Sequence, residues 1–422
     1  SPSLSPTLSP TLSPTLFACF WYYWGAEEGR GNSLAENQEV PQEIDNLVID
    51  VSAGSRHTFL IEGAENVGRV QAAGFIESDF SYRGHLGLGP VDDCGPKGDP
   101  DKLCEGTNDP LPVTKVVDLD GELVDAPQFA RVYAGAGVPS ESGEMHALLI
   151  SKDGRAYVSG NNNKGQLCLG TDTEYVDYFH EVKGIEGRAV SGAVGNEFTL
   201  ILTEDGDVYG CGSNEVGQIG QGPDENISTE AVKIKELEGI TDLAAGLSFA
   251  LFLNQDNGDI WGSGSNIHGQ LCGFTNGNPT TVPKIFFKKQ DADVNADIVQ
   301  VNANKESSYF LFANGEARAC GRNDEGQLGN GNRIDTDEDT PIVKVKLKED
   351  IVRIGSGPSS ESVFFMGERD VWAAGQNYRY QLGIGEIGSR DIPVKVEFDG
   401  PVDIRHISSS GTHTVANCGQ FL

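Results

Sequence analysis

Basic charge is scarce in this chain: 31 lysines and arginines stand against 63 carboxylates, a formal charge of −32. A surface so acidic repels phosphate backbones and anionic headgroups, which speaks against nucleic acid as a partner. Long apolar runs are missing as well. The longest, Leu16 to Trp24, is about half of what a bilayer-spanning helix needs, so no membrane insertion is expected. The seven histidines, His57, His85, His146, His180, His268, His406 and His413, are scattered and form no nucleophile constellation. Neither a phosphate-cradling Gly-Lys loop nor a dinucleotide fingerprint between strand and helix is present. Asp335-Thr-Asp337-Glu-Asp339 has the acid alternation of a calcium loop, but Lys346 occupies the place of the distal Glu and the central Gly is absent. These absences leave no candidate catalytic residue, no metal and no cofactor. The chain opens on Ser1 rather than Met, without a charged-then-apolar leader, and reads as a processed or excerpted product.

Glycine is abundant, 54 residues, which without a collagen period implies many tight turns or close backbone approaches. A repeat accounts for them. From Gly160 the chain reads GNNNKGQLCLG, from Cys211 CGSNEVGQIGQG, from Gly262 GSGSNIHGQLCGF, from Cys320 CGRNDEGQLGNG and from Ala374 AGQNYRYQLGIG, with a looser copy, YRGHLGLG, from Tyr82. The apolar markers are Leu86, Leu167, Ile219, Leu271, Leu328 and Leu382; after the first gap they recur at about 50–57 residues, the range of propeller blades. Ahead of each copy stand a strand ending in small residues (Val51-Ser-Ala-Gly54, Leu243-Ala-Ala-Gly246), an alternating strand (Phe198–Leu202) and a tight turn (Glu204-Asp-Gly206). Strands at this spacing without helical periodicity argue an all-β fold. Small residues suit strands converging on an axis, where only Gly, Ala and Ser leave room for neighbouring backbones.

The succession small-Gly, His-Thr-like strand, Asp-Gly turn, aromatic-Gly and Asn-x-x-Gly-Gln-Leu-Gly resembles the RCC1 repeat. The resemblance covers residues 17–422 and implies an all-β, seven-bladed β-propeller; residues 1–16 stand apart as a Ser/Thr/Pro-rich linker or stalk. Within the repeat, Gly165, Gly217, Gly269 and Gly326 take the turn position, and Leu167, Ile219, Leu271, Leu328 and Leu382 plug the seams between blades. The C-terminal stretch Ile404–Cys418 has only the first half of a repeat, while Cys19–Gly25 with Leu34 and Val40-Pro41 resembles the second half. Joined, they form the seventh blade, the clasp by which family members close the ring and remove exposed sheet edges. His57, His146 and His413 occupy the His-Thr-like slot and read as structural.

Aligning the half repeats puts Cys418 just before the hairpin position and Cys19 just after it. Cross-strand neighbours there lie about 5.5 Å apart, suited to a Cys19–Cys418 disulfide; two separate buried thiols are the alternative. Cys94 and Cys104 flank an inserted loop and suit a local disulfide, against free thiols or a metal pair of unusual spacing. Cys168, Cys211, Cys272 and Cys320 fall where small residues belong and read as core thiols. Disulfides would indicate an oxidising compartment. The tract at residues 1–16 resembles an O-glycosylated stalk, with Ser5, Thr7, Ser9, Thr11, Ser13 and Thr15 as acceptors, and Asn226-Ile-Ser228 is a lone N-glycosylation sequon.

The expected function is therefore a non-catalytic protein-interaction or structural propeller, secreted or cell-surface. Its partners are other proteins, among them copies of itself or filament components, met through the insertions Asp92–Asp109, Pro139–Glu144 and Gln290–Asp297. The resemblance offers one alternative, guanine nucleotide exchange on a Ran-like GTPase in nucleus or cytoplasm. Every complete repeat keeps the ordinary turn where an exchange wedge would intrude, the irregular stretch Phe75–Tyr82 does not match such a wedge, and the N-terminus is uncharged up to residue 26. These features speak against a small GTPase partner.

Overall fold

In the strands that lead each hairpin both faces are buried: Phe198–Thr203 and His146–Ser151 are buried at every position. A strand buried on both faces must lie between two sheets, and in a radial array each sheet has two such neighbours. The computed structural model shows that array. It describes residues 21–25, 38–44, 47–63, 67–74, 86–89, 107–137, 145–171, 173–223, 227–272, 277–288, 296–337, 339–398 and 403–418. Among the described residues thirty strands, β1–β30, form seven sheets. From inner to outer strand, blade I is β3–β6 (Val48–Ala53, His57–Glu62, Val70–Gly74, Thr107–Pro112). Blade II is β9–β12 (Phe129–Ala134, His146–Ser151, Ala156–Asn161, Tyr175–Glu181), and blade III is β13–β16 (Ala189–Val194, Phe198–Thr203, Val208–Ser213, Ile227–Lys233). Blade IV is β17–β20 (Asp242–Ala245, Phe249–Asn254, Asp259–Gly264, Thr280–Phe287), and blade V is β21–β24 (Ile298–Ala303, Ser307–Phe312, Ala317–Gly321, Val343–Lys344). Blade VI is β25–β28 (Arg353–Gly355, Ser362–Met366, Val371–Gly375, Arg390–Val396).

Blade VII is assembled from both ends of the chain: β29 (Ile404–Ser409) and β30 (His413–Cys418) pair with β1 (Trp21–Gly25) and β2 (Gln38–Ile44) in the order β2-β1-β30-β29. Trp21 lies opposite Asn417 and Gly25 opposite His413, antiparallel, so the expected clasp is present. Trp24 is fully buried and donates from its indole N–H to the Gln381 carbonyl of blade VI at 2.7 Å. Blade II carries two strands that the repeat does not predict. The hairpin β7 (Lys115–Val117) and β8 (Leu123–Asp125) pairs parallel to β12 and widens this sheet to six strands, with β8 exposed throughout.

The core is divided among the blade seams. Among the described residues there are seven apolar clusters, each drawing on adjacent blades. Leu167 packs with Ile201 and Tyr209 of blade III, and Leu328 with Ile354 and Phe365 of blade VI, as the seam-plug reading requires. Burying one such side chain stabilises by roughly 1.5–3 kcal/mol. Around the axis the inner strands of adjacent blades are joined by side chains. Asp50 accepts from the Val132 backbone N–H at 3.0 Å and meets His406 Nδ1 at 2.8 Å. Asp242 accepts from Val301 N–H at 3.0 Å, and Gln300 exchanges two bonds with Ile354.

Cys168, Cys211, Cys272 and Cys320 are not core thiols: Cys168–Cys211 and Cys272–Cys320 are disulfides, with Cα atoms 5.4 Å apart in each. Both join the turn after the third strand of one blade to the third strand of the next, II to III and IV to V. The two sites are small positions of one repeat, which is why they read as packing residues. Cys418 is disulfide-bonded; Cys19, Cys94 and Cys104 lie outside the described residues, as do the glycan acceptors between Ser5 and Thr15 and Asn226.

Candidate interaction face

Because successive strands alternate direction, loops joining first to second and third to fourth strands share one face of the disc. On that face the motif Asn-x-x-Gly-Gln-Leu builds a rigid loop. Asn377 Oδ1 accepts from the Leu382 backbone N–H at 2.9 Å, its amide donates to the Glu386 carbonyl at 2.5 Å, and Gln381 Oε1 accepts from Arg379 N–H at 2.8 Å. Asn323 and Gln327 repeat the pattern, with Leu328 N–H at 2.9 Å and Glu325 N–H at 3.0 Å. The Gly in the middle supplies the left-handed backbone: φ is 85° at Gly217 and 80° at Gly326. Tyr380 stands at this place in blade VI with φ 60°. The sequence reading quoted the Asn and Gln as part of the motif but assigned a role only to the Gly and Leu of the turn. Their invariance across five internal copies was the available signal, since a buried amide repeated at one position must satisfy backbone groups there.

Near the axis the loops are laced to one another. Leu247 N–H donates to Lys305 carbonyl and Lys305 N–H to Ser360 carbonyl, both at 2.9 Å, while Gly137 N–H donates to Ser55 Oγ at 2.8 Å. They surround a depression of about 280 Å³ lined by Ser55, Gly137, Leu247, Lys305, Ser359 and Thr412. The three slot histidines are fully buried behind it. His146 Nε2 meets Thr199 Oγ1 at 3.0 Å and His413 Nε2 meets Thr58 Oγ1 at 2.9 Å, each bond crossing a blade seam. Burial pushes the His413 imidazole down to about 3, so it is neutral at physiological pH. These histidines are structural, as expected.

Charged groups tie blades IV to VI on the same face. Arg322 bonds Glu306 and Asp324 at 2.6 Å each and reaches Glu361 at 3.3 Å; Lys305 meets Glu361 at 2.8 Å. Burial works against the Arg322 charge, yet its bonds to Asp324 and Glu306 prevail and raise its pKa. His268 Nδ1 meets Asp335 at 2.9 Å, Arg333 donates to the Ser389 carbonyl at 3.1 Å, and Tyr378 OH donates to Glu325 at 3.0 Å. Exposed pairs of this kind contribute little stability; here they fix loops against each other. Above them stand the most exposed large apolar side chains among the described residues: Ile334 at 70%, Ile267 at 65%, and Tyr378 and Ile387 at 59%. All four lie in the third-to-fourth-strand loops of consecutive blades. Of the expected contact loops, Pro139–Glu144 and the stretches 92–106 and 290–295 fall outside the described residues.

The pattern of the RCC1-like domain matches residues 118–420. The secretion-regulating guanine nucleotide exchange factor of Bos taurus is 35% identical over 208 residues, 47% of this chain and 41% of the relative. The ultraviolet-B receptor UVR8 of Arabidopsis thaliana is 30% identical over 275 residues, 64% of this chain and 60% of the relative. Less than two thirds of either relative's length is therefore spanned. The crystal structure of human WBSCR16 superposes with a TM-score of 0.74 at 20% identity, covering 96% of this chain and all of that one, a likeness of fold.

Proposed function

This chain belongs to the RCC1-like domain family, and from that premise we propose that it is a non-catalytic, protein-binding propeller of an oxidising, extracellular or cell-surface setting. The observation that carries the binding reading is the arc Ile267, Ile334, Ile387 and Tyr378. Single exposed apolar residues are ordinary, but a group of them held on tied loops marks an interaction surface. Capturing partners from the native source on wild-type protein and on I334S/I387S tests it. Specific partners should be depleted on the variant; an unchanged set of captured chains refutes this face as the binding surface. The compartment reading is supported by the interblade bridges, since disulfides persist where thiols are not kept reduced. Non-reducing mass spectrometry of protein from its source should recover the Cys168–Cys211 linkage and a Cys19–Cys418 linkage, and fully alkylated thiols would refute it. We also propose the chain as a component of a larger extracellular assembly, with Ser5–Thr15 and Asn226 as glycan acceptors.

Nucleotide exchange is the second reading, favoured by the name of the bovine relative. Against it stands the ordinary turn chemistry in blades II to VI. Release of labelled GDP from a Ran-like GTPase should be no faster with the protein than without it.

A further inference from the structure

We infer that the apolar arc of blades IV to VI receives a basic segment of a partner protein, an extended stretch in which lysine or arginine is interspersed with aliphatic side chains. The inference rests on the interaction-face reading above and adds the chemistry of the occupant. The loops bearing the arc are fixed: Asn323 and Asn377 staple two of them from within, and His268–Asp335, Arg333–Ser389 and Tyr378–Glu325 tie each to its neighbour. The apolar side chains are thus presented on a preorganised surface, which lowers the ordering cost of binding.

Charge selects the occupant. Among the described residues of 322–342 and 376–391 there are seven carboxylates and four arginines. Carboxylates therefore outnumber arginines on these loops: Arg322 is paired with three carboxylates and Arg390 with Glu386, while Arg333, bonded to a carbonyl, keeps its charge. Glu325 is held by the hydroxyls of Tyr378 and Ser389, which leave its negative charge in place. The arc is therefore apolar within an acidic surround, on a chain of formal charge −32. A second copy of this chain, an anionic lipid surface or a nucleic acid would meet repulsion there; a cationic segment is attracted over a Debye length and then buries its aliphatic carbons on the isoleucines.

The test uses the full chain and fluorescein-labelled peptides in anisotropy titrations: Lys-Ile-Gly-Lys repeated three times, and counterparts with every Lys changed to Gln or to Glu. The Lys peptide should bind, the Gln peptide at least tenfold more weakly, and the Glu peptide not at all. I334S/I387S should weaken the Lys peptide at least tenfold and L123S, on the exposed strand β8, by less than twofold, with melting temperatures unchanged. Two results overturn the inference. If the Gln peptide binds as tightly as the Lys peptide and loses that binding in I334S/I387S, the arc is a docking surface but its occupant is not basic. If binding of every peptide ignores I334S/I387S, both the basic occupant and the interaction face fall.

Discussion

At the scale of single residues, the turn glycines are separated by what a side chain would meet. A Cβ at Gly217 would lie 2.3 Å from Thr281 Cα and 2.7 Å from the Thr280 carbonyl, at φ 85°. At Gly222 φ is 88° but the nearest atom is Val282 Cγ1 at 3.9 Å. Both substitutions by Ala incur the left-handed cost of about 1–2 kcal/mol, and Gly217→Ala adds an overpacking cost of about 1–3 kcal/mol. Urea titration should therefore show G217A well below G222A in midpoint; equal midpoints would mean the blades yield freely at this seam. His413 gives a pH signature. Its folded pKa, about 3, lies below the unfolded value, so the unfolded chain takes the proton first and stability falls as pH drops below about 6.5. Between pH 6.5 and 5 this single group costs about 2 kcal/mol, and the wild-type midpoint should converge on that of H413Q over this interval. A constant difference between them refutes the neutral assignment. The histidine slot was legible because it recurs. The amide bonds were not, since a hydrogen-bond partner is a matter of placement.

At the scale of elements, the disulfides are interblade staples, and the repeat explains them. Cys168 and Cys272 occupy the last position of Asn-x-x-Gly-Gln-Leu-Gly with φ 54° and 53°, where Gly220, Gly329 and Gly383 have φ of 68°, 61° and 67°. At Gly383 a Cβ would meet Trp24 Nε1 at 2.9 Å, on the next blade's third strand as in the two disulfides, whereas at Gly220 and Gly329 it would meet Pro283 and Pro393 on the next blade's fourth strand; in every case this position faces the neighbouring blade. The bridged cysteines are 43 and 48 residues apart in sequence; only laying one repeat against the following one reveals their opposition. Closing a loop of that length stabilises by about 4 kcal/mol on the chain-entropy account. Replacing Cys168 with Gly removes about 1 kcal/mol of left-handed strain, so C168G/C211S should be less stable by about 3 kcal/mol in guanidinium unfolding. A loss below 1 kcal/mol would show that seam packing alone holds blades II and III. The hairpin β7–β8 escaped the sequence reading for a simpler reason: two three-residue strands in an insertion present no alternation to detect.

At the scale of the molecule, the repeat and its two incomplete halves made the ring and its closure legible in the sequence. The interaction face was not, because exposure of an isoleucine depends on how neighbouring loops stand: Ile334 and Ile387 follow the motif in stretches that differ between copies, and only Ile267, aligned with Asn163, Glu215 and Asp324 in Asn-x-x-Gly, carried a mark of exposure. Closure itself leads to the last prediction. Every inner strand touches the inner strands of two neighbours, β29 with β3 included, and β1 is the strand that pairs β30 to β2. A chain lacking residues 1–25 loses Tyr22, Tyr23 and Trp24 from two seams and leaves the β30 backbone without its outer partner. An unpaired edge beside an apolar gap recruits other strands, so this variant should associate at micromolar concentration in light scattering where the full chain is monodisperse. Adding a synthetic peptide of residues 17–25 should restore the monodisperse species, because the register Trp21–Asn417 to Gly25–His413 needs no covalent link to form. Association that the peptide does not reverse would mean the gap, and not the open edge, drives it; a truncated chain that stays monodisperse without the peptide would show that six blades and a half ring hold their shape unaided.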